Sequence, residues 1–354
     1  MTISRVKIVG SGLIGTSIGL ALAAKGISVQ MSDRDANAEA LAQDLVGATS
    51  QKSGSEQRYD LVILAVPISS FADALKGEIQ GNVDSVFIDV MSVKSKVKVE
   101  VSSTATLAGR FVGTHPMAGR EVGGAESARA DLFEGRVWAI DSEGANSAAL
   151  EIVSELIELT GATKVEISSQ AHDSAVALIS HLPQLVSSLL AKQLRGADPQ
   201  WLELAGAGLR DTTRIAGSDP ALWREIITAN SQALKPLLAN LKEDLDRLIA
   251  GIDNEETVES LIRDGQSGRR GIPGKHGGSS RDYTYLPIVI DDKPGQLAAL
   301  FEECASAGVN VEDLAIEHSP GQFTGLITLS LSAEDATSLS LHLQREGWKV
   351  HPPR

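Results

Sequence analysis

The sequence predicts a doubly wound α/β sheet, then an all-helical segment, then a small antiparallel α+β unit. Three observations predict it. Short apolar runs alternate with stretches of helical period through residues 1–168, and from Gln170 to Ile262 nearly every stretch has helical spacing. A compact strand-and-helix pattern then resumes beyond a glycine-rich break.

In order, residues 6–9, 29–32, 61–66, 86–90, 111–113, 137–140 and 164–167 read as strands. Residues 13–24, 36–45 and 147–159 read as helices between them. Strand and helix in alternation mean crossover units and a mostly parallel sheet covered on both faces. Residues 169–264 form the helical domain. Their Leu, Ala and Ile content exceeds what one layer against a sheet can bury, so a homodimer interface is expected to cover the excess. Residues 265–282 hold six glycines between Gly265 and Gly278, the composition of a flexible tether. Its Arg269, Arg270 and Lys275 suit a solvated linker or contact with an acidic face. Residues 283–354 read as β-α-β-β-α-β, the ferredoxin-like split unit.

The 354 residues carry 46 acidic and 32 basic side chains, a net charge of −14. So acidic a surface repels nucleic acid and anionic membranes and favours small-molecule chemistry. The single cysteine, Cys304, forms no intrachain disulfide, and no metal site is expected. No leader-like segment opens the chain, and no apolar stretch approaches the ~20 residues of a membrane span. Cytoplasmic location is the default.

The first strand runs into Gly10-Ser11-Gly12-Leu13-Ile14-Gly15, and a helical pattern starts at once. The first glycine permits a tight turn, the second admits a pyrophosphate, and the third lets helix and strand pack closely. The phosphates would sit on the helix N-terminus, where free N–H groups and the dipole favour anions. Asp33 ends the next strand, placed to accept the ribose hydroxyls and repel a 2′-phosphate. This Rossmann-type reading favours NAD, although Arg34 beside it could contact a phosphate. Ala65, Val66 and Pro67 close a later strand. They are candidates to line the ring pocket, and core packing is an equal reading for Val66.

His115 precedes Pro116 just beyond a strand end, where doubly wound sheets bind ligands. A neutral imidazole there can take a hydroxyl proton as hydride leaves the same carbon. His172 and His181 lie on one predicted helix. Nine residues at about 100° each set them on opposite sides, so at most one would face a cleft; for His181 a core role is the alternative. His181 and Gln184 share a face, with Pro183 kinking the helix between them. Asp219 is the expected N-cap of a helix opened by Pro220. Arg210 and Arg214, four apart, offer guanidiniums to a carboxylate, or else pair with Asp211 and Glu225 on the surface.

Taken together, these residues resemble the prephenate and arogenate dehydrogenases of tyrosine biosynthesis that carry a C-terminal ACT domain. The resemblance spans essentially the whole chain. It rests on the glycine motif, Asp89-Val-Met-Ser92-Val-Lys94, Gly113-Thr-His-Pro-Met-Ala-Gly119, Ser180-His-Leu-Pro183 and Asp211-Thr-Thr-Arg214-Ile-Ala-Gly-Ser-Asp-Pro220. It implies NAD-dependent oxidative decarboxylation of prephenate. His115 would accept the C4 hydroxyl proton, Ser92 would stand beside that hydroxyl, and Arg214 would bind a substrate carboxylate. Glu121 and Asp211 match positions that gate the site, and Ser218 and Trp223 match residues near the substrate. Several prephenate-using relatives have histidine where this chain has Gln184, so arogenate is the alternative substrate. In the tail, Gly295, Gln296 and Leu297 at the first helix and Asn310 before the second strand resemble the amino-acid site of ACT domains, with tyrosine the expected effector. Two rivals are weighed. A β-hydroxyacid dehydrogenase would carry a lysine within 170–191, where there is none. A non-catalytic protein binding a dinucleotide and an amino acid would have no use for His115, Ser92 and Arg214 together.

Overall fold

The computed structural model describes residues 2–47, 58–120, 122–272, 283–317 and 323–354. They pack as two compact units, Met1–Asp244 and Leu245–Arg354.

The first unit is built on a seven-stranded sheet of order β2-β1-β3-β4-β5-β6-β7. The strands are β1 (Arg5–Val9), β2 (Ser28–Ser32), β3 (Leu61–Leu64), β4 (Val86–Asp89), β5 (Phe111–Pro116), β6 (Val137–Asp141) and β7 (Thr163–Glu166). Every neighbouring pair is parallel except β5–β6, whose antiparallel register sets His115 opposite Ala139. β3 (Leu-Val-Ile-Leu) and β4 (Val-Phe-Ile-Asp) are buried at every position, as a strand covered on both faces must be. One core packs Ile8, Ile63 and Ile88 with Ile18 and Leu22 of α1 (Leu13–Ala23) and with Val153 and Leu156 of α5 (Ser147–Leu159). On the other face, Val62, Leu64 and Phe87 pack with Phe71 and Leu75 of α3 (Phe71–Ile79) and Val97 of α4 (Ser95–Ser102). α2 (Ala36–Val46) follows β2. The chain leaves β1 for β2 on one side and returns to β3 on the other. The carboxyl ends of β1 and β3 therefore diverge, and the crevice between them is where such sheets take ligands.

The expected boundary near residue 168 falls inside the first compact unit, which runs to Asp244. The long helix α6 (Ser169–Gln193) is fastened to the sheet: Asp141, at the end of β6, accepts the Ser169 amide at 2.9 Å and its hydroxyl at 2.5 Å. α6 contains a π-helical segment, Ala177–His181, just ahead of Pro183. Proline has no N–H to return to the fourth residue before it, and a wider turn absorbs the lost bond. Then follow α7 (Pro199–Glu203), α8 (Ala207–Thr213), a 3₁₀ turn (Arg214–Gly217), α9 (Pro220–Ala229) and α10 (Ser231–Ala250). Asp219 caps α9 through the Ala221 amide at 2.8 Å. By length and composition α6 is long and apolar enough to cross a membrane, an exception to the expected absence of such a stretch. It also buries four polar or charged side chains, His172, Asp173, His181 and Gln184.

In the second unit, α11 (Glu255–Arg270) runs six residues past the expected start of the tether. Gly265 and Gly268 therefore lie inside a helix. Asn254 caps its start and Arg269 and Arg270 occupy its last turn, where cations complement the helix dipole. The rest of the expected tether, 273–282, lies outside the described residues. Beyond it the order is β8 (Thr284–Asp291), α12 (Gln296–Ser306), β9 (Asp313–Glu317), β10 (Thr324–Leu331), α13 (Ala333–Arg345) and β11 (Lys349–Val350). The antiparallel sheet β11-β8-β10-β9 has the split β-α-β arrangement expected of this segment. Its core joins Leu286 and Ile288 to Leu300, Leu339 and Leu343.

Candidate active site

At the β1/β3 crevice the backbone is shaped for a dinucleotide. Gly10 has φ +109°, and a Cβ on it would stand 2.2 Å from the Ala65 carbonyl oxygen; one on Gly15 would stand 2.1 Å from that of Gly10. Neither position admits a side chain. A Cβ on Gly12 would meet nothing within 4 Å, and the start of α1 has no side-chain cap, so its N–H groups are open to an anion. The buried hydroxyls of Ser11 and Thr16 have no hydrogen-bond partner. A pyrophosphate fits this cradle in size, charge and acceptor chemistry.

Asp33 is held in place around the same loop. Its Oδ2 accepts the Ser11 amide at 2.7 Å and its Oδ1 the Asp35 amide at 3.0 Å. Its own amide donates to Glu39 at 2.9 Å. Two carboxylates thus stand at the end of β2, and Arg34 is exposed. Leu13 and Ile14 line the start of α1, half-buried. Ala65 packs on one core and Val66 on the other, so packing accounts for part of what the motif holds there.

A closed circuit of hydrogen bonds surrounds His115. Nδ1 of His115 lies 2.9 Å from Nε2 of His172, and Nδ1 of His172 lies 2.9 Å from Asp173 Oδ1. Asp173 also accepts the amides of Lys94 and Ser95, each at 2.8 Å. The buried Lys94 ammonium pairs with Asp89 and donates to the Thr114 carbonyl. Asp89 accepts the Thr114 amide at 3.0 Å, which closes the circuit one residue from His115. Residues 90–94 are thereby tied at both ends, with half-buried Ser92 in the middle.

This circuit sets the protonation states. Burial pushes the Asp173 carboxyl up, but the bonds from His172 and from the Lys94 and Ser95 groups outweigh it and leave the pKa below its usual value. An anionic Asp173 accepts the hydrogen bond of His172 Nδ1–H, which leaves His172 Nε2 to accept from His115 Nδ1. Nε2 of His115 is then the unprotonated nitrogen. Burial, followed by the charges of Lys94, His172 and His181, holds His115 well below the ordinary histidine pKa. A neutral imidazole with a bare nitrogen is a general base.

His172 and His181 do not face opposite ways. Both are buried and both lie close enough to act on His115; Asn230 Nδ2 donates to the Asp173 carbonyl oxygen at 2.8 Å and lies 3.1 Å from His181 Nδ1. The wider turn of Ala177–His181 changes the angle that nine regular α-helical residues would give. Burial pushes the His181 pKa down to about 4. With Asn230 donating to Nδ1, its proton sits on Nε2. The His181 ring meets Trp223 edge-on, centroids 6.0 Å apart.

Gln184 is buried and its amide is engaged: Nε2 donates to the Ile215 carbonyl at 2.9 Å, and Oε1 lies 3.4 Å from the Ser218 hydroxyl. Arg214 opens the 3₁₀ turn instead of continuing α8, so it does not share one regular helical face with Arg210. Arg210, Asp211 and Arg214 are exposed, and Glu225 accepts the Ser69 hydroxyl at 2.9 Å. Glu121 lies outside the described residues. Gly295, with φ +90°, stands at the N-terminus of α12 with Gln296 and Leu297. Asn310 precedes β9 and donates to Glu312 at 3.3 Å. Sequence reasoning gave no role to Asp89, Lys94, Asp173 or Asn230. The adjacent His172-Asp173 pair and the Asp89…Lys94 spacing were visible signals; Asn230 offered none.

Residues 18–166 match the sequence model of the prephenate dehydrogenase nucleotide-binding domain, and residues 168–264 that of the prephenate dehydrogenase dimerization domain. The chain is 30% identical to the probable prephenate dehydrogenase NovF of Streptomyces niveus, over 97% of this chain and 98% of that protein. It is 28% identical to the prephenate dehydrogenase of Bacillus subtilis, over 93% and 92% of the two chains. Among solved structures it resembles the A. aeolicus prephenate dehydrogenase in complex with hydroxyphenyl propionate and NAD+, with TM-score 0.67 and 28% identity over 76% of this chain and 98% of that one. It also resembles Synechocystis arogenate dehydrogenase, with TM-score 0.63 and 29% identity over 75% and 98%. With both domain models matched in order over residues 18–166 and 168–264, the chain belongs to the prephenate dehydrogenase family.

Proposed function

We propose that this protein is an NAD-dependent prephenate dehydrogenase, converting prephenate to 4-hydroxyphenylpyruvate and CO2. The observation that carries the reading is the circuit that leaves His115 neutral with Nε2 free, on the same sheet edge as the dinucleotide cradle. Bound NAD+ supplies the hydride acceptor. The Gly10–Gly15 turn and the Ser11 hydroxyl would hold its phosphates, and Asp33 its adenosine ribose. Ala65, Val66 and Pro67 border the nicotinamide side.

His115 Nε2 takes the C4 hydroxyl proton while the C4 hydrogen departs with its electron pair. The ring carboxylate is lost as CO2, its bonding electrons complete the aromatic ring, and the C4 oxygen, left as a phenolate, regains the proton from His115. Aromatisation drives the step, so the protein has chiefly to position the ring and hold one base. Ser92 orients the hydroxyl, and the His181 Nε2–H offers a donor. Arg214 binds a carboxylate, with Ser218 and Trp223 beside the ring and Asp211 and Glu121 at the entrance. Arogenate is the second reading, favoured by the neutral side chain at Gln184 and by the likeness to the Synechocystis enzyme. NADH formation measured with prephenate and with arogenate, each against NAD+ and NADP+, tests both. No turnover of either would favour a non-catalytic sensor instead.

The domain limits we propose are 1–168 for the nucleotide-binding part, 169–264 for the helical part and 283–354 for an ACT domain. Exposed Ile179, Trp201, Leu204 and Leu222 support a homodimer through the helical part. The split β-α-β unit supports an ACT domain that takes tyrosine near Gly295, Gln296, Leu297 and Asn310. The small-molecule substrate and the acidic surface are in keeping with a cytoplasmic enzyme that binds neither nucleic acid nor membrane.

A further inference from the structure

Arg214 opens the 3₁₀ turn that follows α8. Neither α8 nor the 3₁₀ turn after it buries a residue fully, though both lie against the second half of α6. The end of a helix also leaves its last carbonyls without partners inside the helix. Here the Thr212 carbonyl near the end of α8, and the Ile215 carbonyl of the turn, which also accepts the Ser218 amide at 3.2 Å and hydroxyl at 2.7 Å, each accept from a buried side chain of α6. The Ser187 hydroxyl donates to the Thr212 carbonyl at 2.7 Å, and Gln184 Nε2 donates to that of Ile215 at 2.9 Å. Ser187 is 3% exposed and Gln184 6%; three residues apart, they share one helix face. Their two acceptors bracket Arg214, and Gln184 Oε1 also faces the Ser218 hydroxyl at 3.4 Å.

We propose that Ser187 and Gln184 are positioning residues, a two-point clamp that aims Arg214 at the substrate carboxylate. The inference rests on the assignment of Arg214 to substrate binding made above. It changes the expected part of Gln184, whose amide is spent on the turn rather than on the substrate. It gives Ser187, for which no role was expected, a share in substrate affinity.

The test is Ser187→Ala in the full-length protein, alone and combined with Arg214→Ala. The expected result is a KM for prephenate raised about tenfold, with kcat and the KM for NAD+ within about twofold, because the lost interaction serves ground-state binding. Amide exchange over residues 207–218 should quicken, and the melting temperature should stay within a few degrees. In the Arg214→Ala background Ser187→Ala should raise KM no further, since both act through one group. Gln184→Met should repeat the pattern. Unchanged exchange, or a KM effect that adds fully to that of Arg214→Ala, overturns the clamp. Faster exchange together with an Arg214→Ala variant of normal KM overturns the substrate role of Arg214 and leaves the two bonds as architecture.

Discussion

His115 Nδ1 meets His172 Nε2 at 2.9 Å, the rings nearly perpendicular at 73°, so the orientation of the base is dictated by a neighbour 57 residues on. That neighbour is in turn fixed by Asp173, itself held by two amides at the start of α4. His115→Asn should lower kcat by roughly 10²–10⁴ with substrate affinity changed only a few-fold, the usual worth of a general base. His172→Asn should keep the base but free its ring, with a smaller loss of about 10–10² in kcat. Steady-state rates decide it. A His172→Asn enzyme of wild-type kcat would remove the circuit from the mechanism.

The same circuit predicts a pH profile. His115 is neutral in the folded protein because burial, Lys94, His172 and His181 all disfavour its charged form, against the pull of Asp173. A base must be unprotonated, so activity is present above its pKa and lost below it. Since that pKa lies well under the ordinary histidine value, log kcat/KM should stay flat from neutral pH down to about 6.5. Further into acid it should fall with unit slope. An acid limb that begins above pH 7 would mean His115 is not shifted as its surroundings require.

The proposed role of Asp33, whose amide donates to Glu39, makes it the residue expected to decide cofactor choice. Asp33→Ala should weaken NAD+ binding and improve NADP+ relative to it, because the carboxylate both accepts ribose hydroxyls and repels a 2′-phosphate. Fluorescence titration of each cofactor reads this without turnover. If the unaltered protein already binds NADP+ more tightly, exposed Arg34 governs the site instead.

Much of this arrangement was legible in the residues. The seven strands of the first sheet fall within about three residues of their expected limits, because buried parallel strands advertise themselves as apolar runs. Gly10–Gly15 and Asp33 were legible because a phosphate turn tolerates few other residues. Long-range partners were not. Asp89 and Lys94 flank Ser92 in the chain, yet their bonds to Thr114 depend on β4 lying beside β5. Asn230 joins His181 to Asp173 only once α9 has folded back. The π-helical turn before Pro183 defeated a fixed 100° step, and with it the expectation that His172 and His181 diverge. The helix overruns the expected start of the tether: each glycine weakens it by only about 1 kcal/mol, while Asn254 caps its start and Arg269 and Arg270 complement its dipole.

That last difference decides how the regulatory reading is to be tested. A chain cut near Asp264 would lose the last turn of α11, with the two arginines that complement its dipole, and would confuse a damaged helix with a missing effector site. A chain of residues 1–272 keeps α11 whole and removes the antiparallel unit. An effector shifts an equilibrium only as far as it binds two states differently, so tyrosine acting through that unit needs the unit present. The shortened chain should remain a dimer by sedimentation, since the exposed apolar residues offered for pairing lie before Asp244. It should oxidise prephenate with kcat within a few-fold of the full chain, and inhibition by tyrosine through the tail should disappear. Competition by tyrosine as a product-like ligand at the active site would persist, recognisable as a pure KM effect that excess prephenate relieves. Inactive monomers would instead mean that the antiparallel unit holds the enzyme together, and the proposed effector role of Gly295, Gln296, Leu297 and Asn310 would lose its support.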